Sequence, residues 1–65
     1  MLKKICEFIR DKESDIDIMD CYEEYQADVM SYDTLVEVCQ NVLDNAREDL
    51  QVYPEFHKYT KWLGI

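Results

Sequence analysis

A chain of 65 residues supports one small core, so a single domain spanning 1–65 is expected. A hydrophobic share of 48 % argues against disorder, and one glycine with one proline is too little turn chemistry for a β sandwich or barrel. The net charge of −8 disfavours direct binding to nucleic acid, whose phosphates such a surface would repel.

Taken in order, the chain reads as an all-α bundle of about four helices. Leu2 to Lys12 forms the first: Leu2, Ile5, Phe8 and Ile9 share a face, and Lys3, Glu7, Arg10 and Asp11 take the other. A second helix is expected over 15–29, with Ser14 as its cap and Asp17 as the acidic half of a capping box. Ile18, Tyr22, Tyr25 and Val29 fall in one arc of that helix. Asp17, Asp20, Glu24 and Asp28 fall in another, a row roughly 16 Å long at the helical rise. The rival for this stretch is an α+β fold, because Asp15-Ile16-Asp17-Ile18 alternates with period two and allows a short strand near 15–19.

The break at Ser31-Tyr32-Asp33 leads into the longest helix, expected over 34–51. Asp33 is its cap, or Thr34 with Glu37 forms a capping box one residue later. Leu35, Val36, Val38, Cys39, Val42, Leu43, Ala46 and Leu50 cover nearly half its circumference, so it should be the most contacted element. Three short neighbours leave part of so wide a face open, which makes homodimerisation a second expectation. A core this small contributes only about 3–5 kcal/mol, and a partner copy would add to it. Tyr53-Pro54 ends the helix and starts a last one over 54–63, with Phe56, Tyr59 and Leu63 inward and Gly64 as the stop.

Cys6, Cys21 and Cys39 are odd in number and contain no CxxC pair, so three reduced, mostly buried thiols are expected in an intracellular protein. No metal or other cofactor is implied. The spacing of these cysteines and His57 fits no zinc pattern, and the Asp11–Asp17 alternation lacks the glycine and the closing glutamate of a calcium loop. No apolar run is long enough for a signal peptide or a membrane span, and a cytoplasmic location without membrane contact follows as the expectation. His57 has no Ser or Cys partner at a recognisable spacing, so no enzyme is expected.

The sharpest signal is the segregation of charge. Residues 13–55 hold thirteen carboxylates against Arg47 alone, and no cation lies between Lys12 and Arg47. Such a block repels itself and costs stability, although an acidic solvated face also keeps a small protein soluble. Carboxylates about 5–6 Å apart along a helix approximate the phosphate spacing of nucleic acid. The expected partner is therefore a basic protein, a nucleic-acid-binding protein or nuclease, met by Asp17, Asp20, Glu23, Glu24, Asp28, Glu37 and Asp44. Tyr32, in the break beside the acidic helix, is the candidate anchor, since tyrosine is enriched among interface hot spots.

In size, acidity and expected helical compactness the chain resembles the small inhibitors that phages and mobile elements direct against host nucleases, the anti-CRISPR and antirestriction proteins. The likeness is one of composition; it implies a nucleic-acid mimic and transfers no site residue. Antitoxins and small regulatory adaptors share the same size and charge, and form the alternative class.

Overall fold

The computed structural model describes residues 1–65 and is all-α, without a strand. Five helices succeed one another: α1 Leu2–Lys12, α2 Ile18–Gln26, α3 Tyr32–Asn45, α4 Arg47–Leu50 and α5 Pro54–Leu63. No helix is long and apolar enough to cross a membrane. α3 packs against α1, α2, α4 and α5. The core is one cluster of thirteen buried side chains, among them Ile5, Ile9, Ile18, Leu35, Leu43, Leu50 and Phe56.

α1 matches the expected bounds because its apolar positions recur at helical spacing and its last turn carries Arg10 and Lys12, which suit the negative end of the helix dipole. The next stretch departs from expectation. Residues 13–17 form a turn closed by Ile16 N–H donating to Glu13 C=O at 3.0 Å, neither helix nor strand. Ser14, Asp15 and Asp17 are turn formers, and half-buried Ile16 pins the turn to the core. Asp17, not Ser14, sits at the helix start, and its side chain makes no capping bond.

α2 stops at Gln26, three residues early, for a definite reason. Val29 N–H donates to Glu24 C=O at 2.8 Å and Asp28 N–H to Tyr25 C=O at 3.2 Å, the bond pair of a Schellman motif. Asp28 occupies its left-handed position at φ 62°, which aspartate tolerates better than most residues. Val29, expected on the apolar arc, is thereby swung out and left 75 % exposed. α5 ends with the same pair of bonds, Ile65 N–H to Thr60 C=O and Gly64 N–H to Lys61 C=O, and there the left-handed residue is the expected Gly64 at φ 81°.

Ser31, rather than Asp33 or Thr34, caps α3: its Oγ accepts from Thr34 N–H at 3.2 Å and donates to Thr34 Oγ1 at 2.8 Å. Ser31→Ala should lower stability by about 1 kcal/mol, the usual worth of such a cap. Urea unfolding checks it, and an unchanged midpoint would mean that Thr34 or water takes over the orphan amide.

The expected helix over 34–51 is broken at Ala46 (φ −100°, ψ 17°), which ends the ladder of α3 and lets Leu50 N–H and Asp49 N–H restart on Ala46 C=O. Leu50, expected on the apolar face, is buried. The wide apolar face of α3 is covered within one chain: Leu35, Cys39 and Leu43 are buried, and Val36, Val38, Val42 and Ala46 pack against the cluster half-buried. Gln40 Nε2 donates to Leu63 C=O at 2.6 Å and ties α3 to the end of α5. Phe8 meets Tyr53 and Tyr59 edge-on at 5.9 and 5.3 Å, which closes α1 over the start of α5.

Candidate protein-binding surface

α2 faces two ways. Its inner side carries buried Ile18, with Cys21, Tyr22 and Tyr25 half-buried, and its outer side carries Asp20, Glu23 and Glu24, all exposed. Asp17, exposed at the helix start, joins this outer group. The Asp20 carboxyl is held above the ordinary carboxylate range, first by a hydrogen bond shared with the Asp17 carboxyl, then by the charges of Asp17, Glu23 and Glu24.

A proton on Asp20 is thus favoured by folding. Between its ordinary value of 3.8 and its higher folded value the native state binds more protons than the unfolded one, so this group's contribution to stability falls as pH rises through that window. Asp20→Asn should therefore stabilise the protein at neutral pH, and the gain should vanish below the ordinary value. Thermal midpoints of both proteins across acidic pH test this, and a gain that persists at the lowest pH would contradict it.

The remaining expected residues are not part of this group. Asp28, Glu37 and Asp44 are exposed, but none is among the charges acting on Asp20. Asp28 lies past the end of α2 in its left-handed turn, so the row of four on one helix does not form. Asp44 lies on α3 and is paired with Arg47 at 3.5 Å, which offsets part of its charge. What the fold assembles is a compact patch of Asp17, Asp20, Glu23 and Glu24.

Beside this helix lies an open groove of about 230 Å³ that the sequence did not announce. Tyr22 and Tyr25 of α2 and Tyr32 at the start of α3 form one wall, with ring centroids 6.1 Å apart at each step. Trp62 from the end of α5 and Met1, Leu2 and Lys3 from the start of α1 complete it. Tyr32, Trp62 and Met1 remain 48, 43 and 41 % exposed, so the groove presents aromatic faces to solvent. Tyr32 is helical rather than in a loop, yet it holds the exposed position expected of an anchor. A cavity of this size is below the range of drug-sized sites and suits one or two side chains of a partner.

No group of three or more His, Cys, Asp or Glu side chains is arranged to hold a metal ion. His57 is exposed, with Nε2 3.1 Å from Gln51 C=O. Comparisons with protein families, with curated proteins and with solved structures find no match to this chain.

Proposed function

We propose that this chain is a small acidic inhibitor that binds a basic, nucleic-acid-handling protein such as a nuclease and competes there with nucleic acid, in the manner of phage or mobile-element anti-CRISPR and antirestriction proteins. The observation that carries the reading is the pairing on α2. Its outer face sets Asp17, Asp20, Glu23 and Glu24 together without an intervening cation, while Tyr22 and Tyr25 of the same helix line an open aromatic groove. Carboxylates steer a Lys/Arg-rich surface into place and make association salt-dependent, and exposed Tyr and Trp supply rigid contact area. Arginine on the partner suits both, as it pairs with carboxylates and stacks on aromatic faces.

In this reading the protein acts as a stoichiometric cytoplasmic binder and not as an enzyme. Titrated against its target, it should saturate at about one copy per target site, and duplex nucleic acid should displace it. Turnover of a substrate at sub-stoichiometric amounts, or capture of a partner that nucleic acid leaves in place, would overturn the proposal. The groove also favours a second reading, an antitoxin-like or regulatory adaptor that binds mainly through Tyr32, Trp62 and Met1. Tyr32→Ala with Trp62→Ala separates the two: it weakens an inhibitor held by charge modestly and removes the binding of an adaptor held by the groove.

A further inference from the structure

The three thiols play no part in that surface, yet the fold gathers them. Cys6 on α1 and Cys39 on α3 are 33 residues apart in the chain, and their Sγ atoms lie 3.9 Å apart, both fully buried. Cys21 on α2 is half-buried and packs against the same core cluster; burial first, then the Glu24 carboxylate, push its thiol above the ordinary range. Three helices thus each contribute one thiol in or against the one core, and the set does not make a metal site. The two buried sulfurs share one S–H hydrogen bond. That bond and burial hold Cys39 above the ordinary thiol range, and a thiolate on Cys6 would be stabilised by accepting the S–H of Cys39.

We infer that Cys6 and Cys39 are a thiol modification site at which a small-molecule disulfide, such as oxidised glutathione, installs a cross-link between α1 and α3, with Cys21 as the thiol through which it enters. Closing from 3.9 Å to the bonded separation of about 2.05 Å needs a shift of about 1 Å by each sulfur. The chemistry is thiol–disulfide exchange. The Cys21 thiolate attacks the small disulfide, forms a mixed disulfide and releases one thiolate of the reagent. The Cys6 thiolate attacks the Cys21 sulfur and expels the second reagent thiolate. Cys39 then attacks the Cys6 sulfur, passing its proton to the departing Cys21 sulfur, and returns Cys21 as a free thiol. In sum, two protein thiols are oxidised to one disulfide and one reagent disulfide is reduced to two thiols. The closed loop contains all of α2, so the cross-link holds the acidic face and the tyrosine wall between two stapled helices.

The test uses the full native chain and oxidised glutathione at mildly alkaline pH, with acid quench, intact mass and peptide mapping. The expected product has lost two hydrogens, keeps no glutathione and joins the Cys6 and Cys39 peptides. The Cys21→Ser protein should reach the same product about tenfold more slowly or worse, since neither remaining thiol is open to solvent. A stable glutathione adduct without an internal bridge, or a final bridge that includes Cys21, would overturn the site. An unchanged rate in Cys21→Ser would overturn its entry role.

Discussion

Leu43→Ala is expected to remove most of the stability of this protein. Leu43 is fully buried on α3, the helix that packs against the other four. Truncating a buried leucine costs about 2–5 kcal/mol, because the transfer energy of the lost methyl groups adds to that of the cavity left behind. Domains hold about 0.05–0.15 kcal/mol per residue, so a chain this short has roughly 3–10 kcal/mol in all. Collapse of the surroundings offers little relief here, since Leu35 and Cys39 on the same face are buried as well and held by several helices at once. Urea unfolding followed by far-ultraviolet circular dichroism should show a much lower midpoint or a partly unfolded baseline. Val52→Ala is the control: Val52 is 74 % exposed, and its loss should change stability by at most about 0.5 kcal/mol. Equal effects of the two substitutions would mean that the core is not centred on α3.

Neutralising the outer face of α2 is the second large effect, this time on binding. Asp17→Asn, Asp20→Asn, Glu23→Gln and Glu24→Gln together remove four exposed charges and leave the packing untouched. None of the four is needed to cap α2, since Asp17 makes no side-chain capping bond. The fold should therefore persist, and should gain slightly at neutral pH from relief of the repulsion that raises Asp20. Each exposed pair with a partner contributes about 0–1 kcal/mol alone, but four on one partly desolvated patch should lose about 3 kcal/mol, roughly two decades in Kd. The wild-type Kd should weaken steeply with added salt, and that slope should flatten in the variant. Isothermal titration against the isolated basic partner at two salt concentrations gives both quantities. Equal affinity of the two proteins would reduce the acidic patch to a solvated face and leave the groove as the binding element.

The features legible in the residues are those that local periodicity and capping chemistry control. The all-α class, the bounds of α1, the proline start and glycine stop of α5, and the central place of α3 rest on apolar spacing and on Pro54 and Gly64. The acidic block was equally plain, because charge is a property of composition.

Elements that end for tertiary reasons were not legible. The stripe Asp17 to Asp28 is helical in its spacing, yet the helix stops at Gln26, where Asp28 adopts a left-handed conformation that glycine would have advertised. Ala46 is the best of helix formers, yet the helix breaks there, with φ −100° and ψ 17°. The aromatic groove and the thiol cluster depend on contacts between residues far apart in the chain: Trp62 with Met1 and Tyr32, and Cys6 with Cys39. Periodicity says which side of each helix turns inward, and no more. Which residues of two inward faces meet is decided when α1, α2, α3 and α5 pack together, because only the shared core sets their relative rotation and register.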